Sequence, residues 1–368
     1  MFYPRIKIMQ VSKQPWLHSI KVDSLFILSP PFIALLIVIL FPAQFQTSSQ
    51  INPLFWLILI VFIDVAHVYS TLYRTYFNPD EYKQGSLLVV VPLLCYITGV
   101  LLHSIDAILF WRILTYLAVF HFIRQQYGFM RLYSRKETAT RFGIVLDKIT
   151  IYSATIYPIT YWHLEGKRNF NWLIENDFIA ISAPNWLLPA ALVTYLLIIV
   201  TYTVKELIVF IKTRHFNLPR NVFIVGTLLS WYFGIVYFNG DLAFTTLNVI
   251  SHGIPYMALI WIMEKKKHAK TNTESGFFLK AALGTYGPLL FVGSLILLAY
   301  FEEGLWDGLV WREHGSIFQI FDKLPKIENP QLLTLIIPLL ALPQATHYVL
   351  DGFIWRSKKT EMPIKEEM

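Results

Sequence analysis

The stretch PLFWLILIVFIDVAHVYSTLYR, Pro53 to Arg74, decides how this chain is read. Its first half, through Ile63, is almost wholly apolar and suits the hydrocarbon core of a bilayer. Asp64, His67, Thr71 and Arg74 then follow at spacings of 3, 4 and 3, which puts all four on one face of a helix. A carboxylate and an imidazole are costly in lipid, so this face must meet partners that stabilise them.

Composition extends the membrane reading to the whole chain. Of 368 residues, 55% are hydrophobic and 15% charged, with mean hydropathy +0.50, the profile of a polytopic membrane protein. Residues 1–23 are polar and basic, and the first apolar run lacks a small-residue cleavage pattern, so no secretory signal is expected. The single Cys95 excludes a disulfide framework and a thiolate metal site. A span needs about 20 mostly apolar residues, a rule met by 24–44, 53–77, 86–104, 107–131, 143–163, 186–211, 219–238, 241–264, 284–301 and 331–356. The prediction is an all-α bundle of ten transmembrane helices forming a single integral membrane domain over 1–368.

Lys and Arg favour cytoplasmic loops, and here the basic loops alternate. Arg5, Lys7, Lys13 and Lys21 precede the first span; Lys83 and Arg74, Arg131 to Arg141, Lys212 to Arg220, and Lys265 to Lys280 follow at every second connection. Arg112, near the outer end of its span, dissents. Both termini, 1–23 and 357–368, are therefore expected in the cytoplasm, with Arg356, Lys358, Lys359 and Lys365 in the tail. The net charge of +7 is then topological. It faces anionic lipid headgroups, and no nucleic-acid partner is expected. The outer loops 164–185 and 302–330, with Trp172, Trp306, Trp311 and Phe318, read as interfacial caps or short helices. The expected location is a bacterial inner membrane or a eukaryotic endomembrane.

Four of the ten histidines carry the chemistry. Spans 2, 4, 8 and 10 run in the same direction, and His67, His121, His252 and His347 lie at depths that agree within about 8 Å at ~1.5 Å per residue. Four imidazoles on separate helices at one level can converge on one ion. Their helical neighbours are polar: His121 with Arg124, Gln125 and Gly128; Asn248, His252 and Tyr256; Gln344, His347 and Asp351. Ionised Asp64, Arg124 and Asp351 would together cost roughly 9 kcal/mol near the bilayer centre, whereas metal binding supplies ~10 kcal/mol or more at structural zinc sites. The predicted ligands are the four histidines, with Asp64 and Asp351 as direct ligands or as carboxylates that orient the rings. Arg124, Gln125 and Tyr256 would act on substrate or activated oxygen. An Asp64–Arg124 ion pair is the structural alternative. Arg74, Arg131 and Arg356 read as anchors at the inner interface. His103 reads as interfacial, and His18, His163, His215, His268 and His314 fall in loops or at span ends. Pro255 and Pro343 would kink their helices beside the site.

Imidazoles and carboxylates without thiolates suit iron or zinc. Lone histidines spread over several helices, here His67, His121, His252 and His347 with Asp64 and Asp351, resemble the Brp/Blh family of membrane carotenoid-cleaving dioxygenases and, more distantly, membrane desaturases and hydroxylases. The clustered histidine boxes of desaturases are absent, as is the glycine-flanked Pro-His pair of the Brp/Blh kind, so the likeness lies in arrangement. It implies non-haem iron, an oxidoreductase and an apolar lipid-type substrate, with a redox partner to supply electrons. Zinc is the second choice, as in the alkaline-ceramidase relatives that hydrolyse lipid amides with three His and an Asp. A proton- or metal-coupled transporter is an alternative of another class, and a haem protein would need His pairs at two depths.

Overall fold

A computed structural model of the chain describes residues 14–47, 51–78, 85–137, 140–271 and 276–354. Thirteen helices follow in chain order: α1 (Ile20–Leu28), α2 (Pro30–Leu40), α3 (Pro53–Arg74), α4 (Gly85–Ile105), α5 (Ala107–Ser134), α6 (Arg141–Glu165), α7 (Leu187–Thr213), α8 (Leu218–Trp231), α9 (Asp241–Thr271), α10 (Phe277–Leu283), α11 (Gly287–Trp306), α12 (Pro330–Leu340) and α13 (Leu342–Ile354). Single turns at Pro42–Phe45 and Phe321–Lys323 are the other regular elements, and no strand occurs among the described residues.

Six of these helices are each long and apolar enough to cross a membrane, or eight with the bent pairs α1–α2 and α12–α13 counted as one span each. The expected spans 143–163 and 219–238 are helical too, as α6 and α8 with its continuation, but fall outside that set. Both carry charge that the apolar count did not anticipate: Asp147 lies within α6 and Arg220 near the start of α8. Arg5, Lys7, Lys13, Lys83, Arg356 and the 357–368 tail, on which orientation was argued, lie outside the described residues.

The long helices differ sharply in burial. The apolar window of α9 is 72% buried, that of α4 17% and that of α7 only 11%. Helix α7 turns Leu197, Val200, Val204 and Ile211 outward, a face compatible with lipid. Helix α9 is central and packs against α2, α3 and α8; α3 also touches α11 and α13, and α13 in turn touches α4 and α5. The pair α12–α13 bends by 42° at Ala341, just before Pro343. Pro255, by contrast, sits inside the continuous helix α9.

Four π-helical segments interrupt the α-ladders, at Ser24–Leu28, Leu57–Val65, Tyr232–Tyr237 and Asp307–Trp311. The second ends one residue before Ala66, so Asp64 belongs to wider turns and His67 to a regular α-helix. The residue that follows such a segment is rotated relative to the ladder before it.

The charges of α6, α7 and α8 meet in one buried knot. Arg220 donates to Glu206 at 2.5 Å, Glu137 at 2.5 Å and Asp147 at 3.1 Å. Lys205 pairs with Asp147 at 2.5 Å and with Glu206. Asn221 donates to Glu206 at 2.8 Å and accepts from the Tyr202 hydroxyl at 2.8 Å. Such a knot holds only while every charge keeps a partner.

The loop after α6 forms a cap without helix. The buried Asp177 carboxylate accepts from the Leu173 and Ile174 amides and the Thr115 hydroxyl, while Phe178 stacks on Trp162 and Trp172 lies beside Phe178. Burial pushes the Asp177 carboxyl above the usual carboxylate range, and those donors pull it back. Arg74, read as an interfacial anchor, donates to the buried Glu264 at 2.6 Å.

Removing the central cation of the knot should be costly. Arg220→Met removes the cation shared by Glu137, Asp147 and Glu206, leaves Lys205 against the latter two, and is expected to destabilise by about 3–5 kcal/mol. Lys167→Ala, which breaks an exposed pair to Glu175, should change stability by less than about 1 kcal/mol. Thermal unfolding of the detergent-solubilised variants ranks the two, and equal midpoints would refute the knot's role.

Candidate metal centre

The four histidines expected to converge do so. Ring centroids lie 4.6 Å apart for His67 and His252, 5.1 Å for His67 and His347, 4.5 Å for His121 and His347, 5.2 Å for His121 and His252 and 6.4 Å for His67 and His121. All four are at most 2% exposed. The facing atoms are Nε2 nitrogens: His67 to His252 at 3.1 Å, and His347 to His121 at 3.2 Å. His67, His121 and His347 each offer a nitrogen within 4.8 Å of the others. His252 completes the set through His67.

Backbone contact makes this possible. A Cβ on Gly253 would lie 2.9 Å from Ile63 Cγ2 and 3.1 Å from the Ile63 carbonyl oxygen. The missing side chain lets α9 lie directly on α3 and brings His252 to His67. The His252 ring stacks on Phe122 at 3.5 Å and 9°, and Gln125 Nε2 donates to the His252 carbonyl at 3.1 Å. These two residues of α5 hold His252 in place.

Hydrogen bonds fix which nitrogens face inward. Tyr256 Oη lies 2.5 Å from Asp351 Oδ1, 3.1 Å separates Tyr256 Oη from Thr71 Oγ1, and Thr71 Oγ1 is 2.7 Å from His347 Nδ1. An ionised carboxylate only accepts, so the Tyr256 hydroxyl donates to Asp351. It therefore accepts from Thr71, whose oxygen accepts from His347 Nδ1–H. His347 Nε2 is left as a bare lone pair. Asp351 Oδ2 also faces His121 Nδ1 at 3.5 Å, and Asp64 Oδ1 faces His67 Nδ1 at 3.6 Å. Both carboxylates favour the proton on Nδ1 and leave Nε2 free. With both rings in that tautomer, His121 and His347 point two lone pairs at each other across 3.2 Å with no hydrogen to share. Two lone pairs repel, and a cation coordinated by both removes the repulsion. The donor set thus fits a metal ion on its own hydrogen-bond logic.

The remaining expectations divide. Asp351 and Tyr256 lie in the site as members of the relay. Asp64 lies behind His67 and is partly exposed, with 35% of its side chain accessible. Gln125 reaches the backbone of His252. Arg124 does not reach the site: it is exposed, donates to the Tyr152 hydroxyl at 2.9 Å and lies over the Tyr127 ring. Three residues past His121 puts it about 60° off that ring's direction on a 3.6-residue helix, and the rotation takes it outward. The alternative ion pair with Asp64 is therefore not formed. Asn248 donates to Phe244 of its own helix.

His103 approaches Thr334, His163 bonds Tyr116 and the Ile159 carbonyl, and His314 stacks on Trp56, all outside the cluster. Thr71 was visible on the polar face of α3, but its contact with His347 joins positions 276 apart. Phe122 and Gly253 carry no polar signal; their adjacency to His121 and His252 was the only hint available.

Compared with known proteins, the chain matches no family model, no curated protein and no solved structure.

The relay predicts an effect at a distance from the nitrogens themselves. Thr71→Val orphans His347 Nδ1 and should weaken metal retention by about 10–100-fold, read by competition with a chelator. Arg124→Ala should leave retention unchanged. Wild-type retention by Thr71→Val would rule out the relay.

Proposed function

We propose that this chain is a ten-span integral membrane metalloenzyme with cytoplasmic termini, and that His67, His121, His252 and His347 hold one ion of non-haem iron. The observation that carries the reading is the convergence of their Nε2 atoms, with carboxylates behind three of the four rings. Asp64 and Asp351 act as orienters rather than ligands, since each lies nearer a ring's Nδ1 side.

Coordination chemistry favours iron over zinc. Catalytic zinc keeps three protein ligands and one open position, and four protein ligands close a tetrahedral site. Iron accepts six ligands, so four imidazoles leave room for dioxygen and substrate. When bound there, iron would supply activation of dioxygen for an oxidoreductase acting on an apolar, lipid-type substrate, with electrons from a redox partner. The protein's own residues hold the rings, keep their protons on the outward nitrogens and exclude bulk water from a cluster at most 2% exposed.

The test is metal analysis of protein purified from membranes in mild detergent. About one iron per chain and no Soret absorption are expected, and His121→Ala or His347→Ala should remove the metal while preserving yield. Stoichiometric zinc would point to the hydrolase alternative. No retained metal together with ion flux in liposomes would replace the enzyme by a transporter. Because coordination needs neutral imidazole, retention should fall as the medium is acidified and recover on return to neutrality. Retention independent of pH would count against histidine ligation.

A further inference from the structure

A cavity of about 290 Å³ lies between α3, α4 and the α12–α13 bend. Its wall is largely aliphatic, formed by Leu72, Pro92, Leu339 and Leu342, and its inner end is formed by Thr71 and His347. It therefore connects the protein's outer surface to one side of the histidine cluster.

The helices create it by touching and then parting. A Cβ on Gly99 would lie 2.9 Å from Pro338 Cβ, so α4 and α12 are in close contact there. About two turns along α4 stands Pro92, which removes a helical hydrogen bond. On the opposite wall the chain bends by 42° between Leu340 and Leu342. The gap opens between these two irregularities.

The mouth faces outward among apolar residues. Leu339 on the cavity wall is 47% exposed, and Val89 and Leu93 nearby on α4 are 67% and 54% exposed. In a membrane these side chains meet lipid. The wall offers no charged side chain. Of its hydroxyls, that of Thr71 is engaged in the relay and that of Tyr76 donates to the Leu88 carbonyl at 2.6 Å; Tyr69 and Thr346 are the others. No cation there balances a phosphate or a free carboxylate. The volume falls just below the ~300–1,000 Å³ typical of whole-ligand pockets, which fits one flexible chain with the rest of its molecule left in the bilayer.

We infer that this cavity admits the acyl chain of a bilayer lipid from the side and brings a carbon of that chain to the His347 edge of the cluster. The inference deepens the metalloenzyme reading and rests on it for the chemistry, while the cavity's occupancy can be measured separately.

The experiment reconstitutes the full chain in phosphatidylcholine nanodiscs that contain a trace of phosphatidylcholine with a diazirine at the end of one acyl chain. After irradiation, adducts are mapped by mass spectrometry, and metal is measured on the same samples. Adducts at Leu72 and Leu342 are expected to exceed those at Leu197 of α7, although Leu197 is 61% exposed. Leu339→Trp, a substitution at the mouth, should lower the cavity adducts several-fold while leaving those on α7 unchanged. His347→Ala should lose the metal yet keep the adducts. Adducts that follow exposure alone, and are equal in wild type and Leu339→Trp, overturn the acyl-chain site even when the metal is present. Cavity adducts in wild-type protein that retains no metal uphold the chain site and overturn the metal reading. Labelling of the cavity by a diazirine retinol but not by the acyl probe overturns the acyl assignment.

Discussion

Four imidazoles in an apolar interior, arranged so that their Nε2 atoms face one another in pairs, are the constraint on which the rest of the structure depends. Each ring comes from a different helix, so each requires that helix at a fixed rotation and depth. Gly253 sets the distance between α3 and α9, and Phe122 sets the plane of the His252 ring. The relay from His347 through Thr71 and Tyr256 to Asp351 draws α3, α9 and α13 together at the same level. The helices around the cluster are thus specified by polar contacts as well as by apolar packing. This is the pattern expected where buried polar groups must all be satisfied.

The flanking irregularities serve this arrangement. The π-helical turns of Leu57–Val65 separate the rotation of Asp64 from that of His67, so that the carboxylate lies behind the ring. The bend before Pro343 lets α13 present His347 and Asp351 while α12 leans on α4. Wider turns and proline breaks weaken a helix locally, and here two of them stand within one or two turns of a site residue. The local loss of ladder regularity is offset by contacts between helices.

Much of the fold was legible because lipid-facing helices impose a strong pattern: each of the ten apolar runs identified in the sequence is largely helical. The convergence of His67, His121, His252 and His347 was legible because helical rise converts residue number into depth. What periodicity could not supply was rotation. Arg124 shares the sequence neighbourhood of His121 yet points away, and Arg74 finds Glu264 on another helix. Nor could an apolar count anticipate that Asp147, Lys205, Glu206 and Arg220, distributed over three segments, neutralise one another. Such pairings join residues far apart in the chain and leave no local periodic trace.

That charge knot bears on how the chain is made. Helix α7 is the least buried of the long helices, so lipid would accept most of its surface as soon as it left the ribosome. Its Lys205 and Glu206, however, find Asp147 on the preceding helix and Arg220 on the following one. Released alone into hydrocarbon, those charges would lack half their partners at a cost of several kcal/mol. Biosynthesis in a bilayer therefore favours holding α6 and α7 at the insertion machinery until α8 emerges, so that the three partition sideways with these charges already paired.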